Sequence, residues 1–425
     1  MAKVSAYPAP DLIPSPSVEQ DAPSRHAFGA PPEPWAARSE TPKTSRIPEL
    51  DGLRGFAISI VVAYHYFYFS PPVGYHPQSL PARLYANFEN CIALGWSGVD
   101  LFFVLSGFLI GGILLDARHS PRYFRAFYAR RFFRIIPIYY IWTAAFVVAS
   151  LALAAAAGAF SPDIRFPWQM IPMQLLFLQN MGLVGYSTLA RPWFEPTWSL
   201  AVEEQFYLVS PLLVRWLSKK TLYAVLATVI VAVPFFRVSL QGATFRFANA
   251  QDWPYTLMFS RADALCIGIL VALLWKDADI RQWLRSHSNA IRLAAGVFAA
   301  GVVALALWSP SFRSWPMQSV GYTWMGLFYS MVLLLVLANP LGILGSIARV
   351  KILREIGKIS YCLYLIHQMA GLAVQAILHR LFGTPGAALA VAGYAFAAVA
   401  AYAFAQASWK YFERPLVERG HSIKY

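Results

Sequence analysis

Charged side chains are scarce in this sequence. Asp, Glu, Lys and Arg make up 13% of the 425 residues, against about a quarter in a soluble domain. With 58% hydrophobic residues and a mean hydropathy of +0.48, the composition argues against a soluble α/β enzyme and for a polytopic membrane protein. Cysteine is rarer still. Cys91, Cys266 and Cys362 each sit in or beside an apolar segment with no metal-like spacing to a partner, so they read as packing residues and no metal is expected. Residues 1–46 lack the apolar core of a signal peptide; rich in Pro, Ser and Ala with mixed charge, they read as a disordered cytoplasmic tail. Internal repeats and paired Gly/Pro-broken helices, the marks of many secondary transporters, are also missing.

What the chain does have is long apolar runs and aromatic rings. The 14 Trp and 22 Tyr suit headgroup-level anchors, and Trp193, Trp198 and Tyr207 read as such anchors or as packing. Runs near the roughly 20 residues a bilayer requires occur at 52–70, 92–115, 135–157, 198–217, 222–240, 255–275, 290–308, 320–337, 356–378 and 387–407. The expected fold is therefore an all-α transmembrane bundle of about ten spans. The apolar stretch 168–181 is short and interrupted by Pro172, and reads as re-entrant or interfacial.

The net charge of +14 does not point to nucleic acid, because the basic residues cluster between apolar runs. Placing both termini in the cytoplasm puts there the cluster 118–134, Lys219 with Lys220, Lys276 with Arg281 and Arg285, Arg349 with Lys351 and Arg354, and Lys410 with Arg414. The opposite connections hold only scattered charges such as Arg83, Arg191, Arg246 and Arg313, which agrees with the positive-inside rule. His119 and His379 read as surface residues.

Ionisable groups inside a span cost several kcal/mol, roughly 2.5 to 3.5 on insertion scales, and are functional candidates by default. His65 lies six residues before Pro71, about 9 Å below the outer end of its helix. Asp100, Glu203, Glu204, Arg237, Arg261 and Asp263 fall in the outer halves of their spans, and His367 lies near mid-membrane. Facing one another, these groups would line an outward-open polar cavity. Arg54 sits eleven positions before His65, close to three helical turns and about 16 Å away on the same face. Arg131 and Arg134 share a face at the mouth of the third span. Guanidinium groups grip phosphates bidentately, so a long donor with a polyanionic end on Arg54, Arg131 and Arg134 would reach His65 with its other end. Coenzyme A has that shape. Each feature also has a plainer reading: the arginines as topology signals, His65, His367, Tyr361 and Tyr364 as hydrogen-bonding helix glue, and Asp100, Glu203, Arg261 and Asp263 as ion pairs between helices.

Five segments together resemble the acyltransferase 3 family of integral membrane O-acyltransferases, which modify surface glycans, Nod factors and macrolides. They are Leu50–Gly55 with His65 after Arg54 at ten intervening residues, the run from Gly98 through Asp100 to Phe108, Arg131–Ile135, Trp198–Tyr207 with Glu203 and Glu204, and Ile359–His367 with Tyr361 and Tyr364. Arg261-Ala262-Asp263 with Gly268 is a weaker sixth. The resemblance covers about residues 47–415, leaving a short cytoplasmic tail at 416–425, and reads as a stand-alone membrane form without the hydrolase-like domain that some relatives append.

The resemblance implies an acyl-CoA donor, usually acetyl-CoA, with His65 as the essential histidine and Arg54, Arg131 and Arg134 as the functional basic positions. The acceptor is a carbohydrate hydroxyl on the extracytoplasmic side of a bacterial inner membrane. His65 is expected to act as general base, oriented by Glu203 or Glu204 as in a hydrolase triad, with Asp100 in the same catalytic group; transient acylation of His65 is the other route. A transporter or flippase for a glycan or anionic substrate is the competing class, since polar groups in a bundle also make a path.

Overall fold

A computed structural model describes residues 47–68, 88, 92–156, 170–182, 190–243 and 252–425. The tail 1–46, Pro71, Arg83, Cys91, Trp168 and Arg246 lie outside the described residues. Among those described there are helices and turns and no β-strand.

Twelve helices carry the architecture. They are α1 (Pro48–Ala63), α2 (Gly98–Ala117), α3 (Tyr123–Ala156), α4 (Trp198–Trp216), α5 (Lys219–Ala243), α6 (Met258–Lys276), α7 (Ser288–Trp308), α8 (Tyr322–Ala338), α9 (Lys351–Lys358), α10 (Ser360–Phe382), α11 (Ala387–Ser408) and α12 (Arg414–Ser422). Among the described residues eight helices are long and apolar enough to cross a membrane, namely α2, α3, α5, α6, α7, α8, α10 and the run of α11 into α12. The protein is an integral membrane protein. The other two expected spans are α1, of 16 residues with Glu49, Asp51 and Arg54, and α4, of 19 residues with Glu203, Glu204 and Arg215. Arg54 and Glu203 among them line the candidate cavity.

Helices α2 and α6 form the centre, packed on each other and flanked by α1, α4, α5 and α8. Their approach is close because Gly107 and Gly268 face the opposing backbone: a Cβ at either would collide with the carbonyl of Leu265 or Val104. By contrast α7 is an outlying helix, with Leu293, Leu307 and Trp308 largely exposed, as expected of a lipid-facing surface.

Three segments take shapes that the sequence reading did not specify. The arginine-rich run before residue 135 forms the first turns of α3, which starts at Tyr123 and runs through Pro137. The short apolar stretch is a six-residue helix, Met170–Leu175, followed by a 3-10 turn, Gln179–Met181, too short to span. Buried amides hold it in place: Gln174 accepts from Tyr139 at 2.5 Å, Gln179 donates to Thr197, and Asn180 and Gln205 exchange hydrogen bonds. Finally, the residues read as a C-terminal tail form α12, which packs on α3. Arg130 donates to the Ile423 carbonyl at 2.8 Å and covers the Tyr425 ring.

Candidate active site

The helix bearing His65 changes geometry at that residue. After Ala63 the α-helical ladder of α1 gives way to a π-helical turn, Tyr64–Tyr68, a feature that often marks functional sites. The turn presents two neighbouring side chains to α10. His65 Nδ1 lies 2.8 Å from the Val61 carbonyl and 3.3 Å from His367 Nε2, and the Tyr66 hydroxyl donates to the His367 carbonyl at 2.6 Å. Gly371, one turn further along α10, makes room for Tyr66, since a Cβ there would lie 2.7 Å from the Tyr66 ring.

The opposite end of the same helical run carries Arg54. It lines a partly open cavity together with Ser106, Ser199, Glu203, Tyr361 and Tyr364. Glu203 accepts from Ser106 at 2.9 Å and from Tyr207 at 2.7 Å, and Tyr364 shares a 2.8 Å hydrogen bond with Ser199. Tyr361 donates to the Ile135 carbonyl. Arg131 lies over the Tyr207 ring at 5.7 Å, and the charged neighbours of Arg54 include Glu203 and Arg131. Arg134 in turn has Arg54 and Arg131 as neighbours. The three arginines expected to act together are thus neighbours, and Arg54 is the one that lines the cavity. Glu204, beside Glu203, is half-buried with one carboxylate oxygen unpartnered among the described residues.

The remaining candidates form a separate, sealed network. Asp100 and Arg261 pair at 2.5 Å, with both side chains fully buried. Arg237 and Asp263 pair at 2.8 Å, also buried, and Thr323 donates to Asp263. Arg261 lies 4.2 Å from the Tyr322 ring centre. This is the ion-pair reading of these residues: Asp100 and Arg261 do not line the cavity that Arg54 and Glu203 line. The reading of Glu203 or Glu204 as the group that orients His65 also gives way. Glu203 is engaged by Ser106 and Tyr207, whereas His65 Nδ1 is engaged by Val61 and His367.

Tyr66 and Ser106 were not singled out in the sequence, and Tyr207, expected as an anchor or packing residue, donates to Glu203. Tyr66 sits next to His65, and only the π turn turns both toward α10. Ser106 and Tyr207 were readable in principle, Tyr207 being one turn beyond Glu203. Among the described residues no group of three or more His, Cys, Asp or Glu is disposed to hold a metal ion.

A family model for an acyltransferase domain matches residues 47–407, which takes in both the arginine cluster and the His65–His367 contact. The chain belongs to the acyltransferase 3 family. Among curated proteins this acyltransferase is similar to the peptidoglycan O-acetyltransferase OatA of Listeria monocytogenes, 25% identical over 348 residues that cover 76% of this chain and 49% of the relative. It is similar also to the putative peptidoglycan O-acetyltransferase YrhL of Bacillus subtilis, 28% identical over 341 residues, with 76% and 48% covered. A third relative is the O-acetyltransferase OatA of Staphylococcus aureus, 23% identical over 329 residues, with 76% and 50% covered. The chain spans about half the length of these relatives. No solved structure matches it.

Proposed function

We propose that this chain is a membrane-embedded O-acetyltransferase of the bacterial inner membrane. It takes an acetyl group from acetyl-CoA, or a related acyl group from another acyl-CoA, on the cytoplasmic side, and delivers it to a carbohydrate or glycoconjugate hydroxyl on the extracytoplasmic side. The observation that carries the reading is the grouping of Arg54, Arg131 and Arg134, with Arg54 lining a cavity and His65 further along the helix that holds Arg54. Three guanidinium groups suit the phosphates of coenzyme A. The hydroxyl-lined cavity between α1, α2, α4 and α10 suits the narrow pantetheine arm. The relatives named as peptidoglycan O-acetyltransferases support a glycan acceptor.

The chemistry assigned to His65 is general-base catalysis. Carbonyl oxygens only accept hydrogen bonds, so the 2.8 Å contact with Val61 makes His65 Nδ1 the donor, and Nε2 is the ring nitrogen carrying the lone pair. That nitrogen takes the proton of the acceptor hydroxyl as its oxygen attacks the thioester carbonyl. The carbon–sulfur bond then breaks, and the proton on Nε2 passes to the departing thiolate. Purified protein incubated with labelled acetyl-CoA and solubilised peptidoglycan strands tests the reading: label is expected in ester linkage to glycan. His65→Ala protein that still transfers label at the normal rate overturns the assignment.

A further inference from the structure

We propose that His367 is the positioning partner of His65, its Nε2 sharing the Nδ1–H of His65 with the Val61 carbonyl and so helping to hold the base in the tautomer that leaves the lone pair on Nε2 of His65 to take a proton. The inference rests on the function proposed above and adds a residue to its machinery. His367 is fully buried, and three contacts fix it. Its Nδ1 lies 2.7 Å from the Tyr364 carbonyl, which makes Nδ1 the donor and Nε2 the lone-pair nitrogen of the neutral ring. Its own backbone carbonyl receives the Tyr66 hydroxyl. Its Nε2 then faces His65 Nδ1 at 3.3 Å, with the two ring centres 5.0 Å apart and the planes inclined at 65°. Both tautomers follow from backbone carbonyls, which cannot donate: the His65 Nδ1–H is shared between the Val61 carbonyl at 2.8 Å and the His367 Nε2 lone pair at 3.3 Å.

During transfer the arrangement has a direct use. When His65 Nε2 takes the hydroxyl proton the ring becomes an imidazolium, and its Nδ1–H becomes a stronger donor. His367 accepts from it without itself gaining a proton, the service that a carboxylate gives to histidine in hydrolase triads. A neutral acceptor suits a buried site, where a carboxylate without full compensation is costly. When the thiolate leaves, the proton on His65 Nε2 goes to sulfur and the dyad returns to its starting state. The Tyr364 side chain lines the Arg54 cavity while its carbonyl holds His367, so α10 ties the donor end to the base.

The test compares His367→Gln, which offers a carbonyl oxygen as acceptor, with His367→Leu, which offers none, in full-length protein supplied with acetyl-CoA and solubilised peptidoglycan strands. His367→Leu is expected to lower kcat about 100-fold with KM for acetyl-CoA unchanged, and His367→Gln to restore most of the loss. Size-exclusion profiles and unfolding temperatures show whether each variant is folded. Equal activity of His367→Leu and the parent overturns the proposal, and so does an equal loss in both variants when both are folded. A second measurement needs no turnover. In ligand-free protein the 15N resonance of the unprotonated His367 Nε2 should move when His65 becomes Ala. An unmoved resonance overturns the pairing whatever the activity, whereas a moved one with no transfer from acetyl-CoA overturns the function and leaves the pairing standing.

Discussion

Asp100 and Arg261 meet at 2.5 Å with neither side chain open to solvent, joining α2 to α6 at the centre of the bundle. Beyond that contact the second Asp100 oxygen and two Arg261 nitrogens have no partner among the described residues, and the Tyr322 ring covers the guanidinium. Removing one member of such a pair strands the other charge, at a cost of about 3–5 kcal/mol. Arg261→Met is therefore expected to lower the unfolding temperature sharply in detergent. The double variant Asp100→Leu with Arg261→Met should recover much of the loss, because the pair itself stabilises little. A double variant as unstable as the single one would show that the pair does more than neutralise itself.

The arginine cluster yields a kinetic expectation. If Arg131 and Arg134 hold donor phosphates, Arg131→Gln and Arg134→Gln should each raise KM for acetyl-CoA with kcat little changed, the pattern of lost uniform binding. A charge-assisted bond is worth about 1.5 kcal/mol or more, so the increase should be about tenfold. Raising the salt concentration should produce the same trend in the parent. Steady-state rates at several acetyl-CoA concentrations settle it; a fall in kcat alone contradicts a binding role.

Gly371 gives a steric expectation. A methyl group there would press on the Tyr66 ring at 2.7 Å, and overpacking of this kind costs about 1–3 kcal/mol. Gly371→Ala should lower thermal stability and also activity, because Tyr66 and His65 share one turn. Tyr66→Phe, which loses only the bond to the His367 carbonyl, should cost about 1 kcal/mol. Unfolding temperatures of the two variants, measured together, check the order.

One acid–base expectation concerns a connection between spans. Asp277 is held below the usual carboxylate range because the Lys219 ammonium donates to it and the Ile280 N–H bonds to it as well. A depressed carboxylate contributes stability above its unfolded value of 3.8, and that contribution disappears as the pH falls through the lower folded value. The pair is well exposed, so the effect should be small and weakened by salt. Thermal scans between pH 6 and pH 3, comparing the parent with Asp277→Asn, are expected to converge at the acid end.

The sequence made the helical class and most spans legible because apolar length is a strong signal. Hydropathy alone is weakest on α1 and α4, where Arg54, Glu203 and Glu204 dilute the apolar run; there the motifs were the better guide. Arg54, Arg131 and Arg134 were legible as a group, since short helical spacings and one shared membrane face bring them together. The partner of His65 was not. A regular α-helix gives no hint of the π turn at Tyr64, which changes the phase of the side chains that follow, so a carboxylate from α4 was the expected orienter. Nor could spacing reveal that Asp100 and Arg261, 161 residues apart, would neutralise each other instead of facing the cavity.

The unusual polarity of α4 has a consequence for how the chain is made. Glu203 and Glu204, in the interior of a 19-residue helix, each carry an insertion cost of up to about 2.5 to 3.5 kcal/mol, which the apolar residues of that helix must offset. During synthesis α4 must therefore await company: Ser106 of α2 and Arg131 of α3 are made before it and can meet Glu203 as it leaves the translocon. The order of helices along the chain thus serves biogenesis, with the electrostatic partners of the site threaded into the membrane ahead of the carboxylates that depend on them.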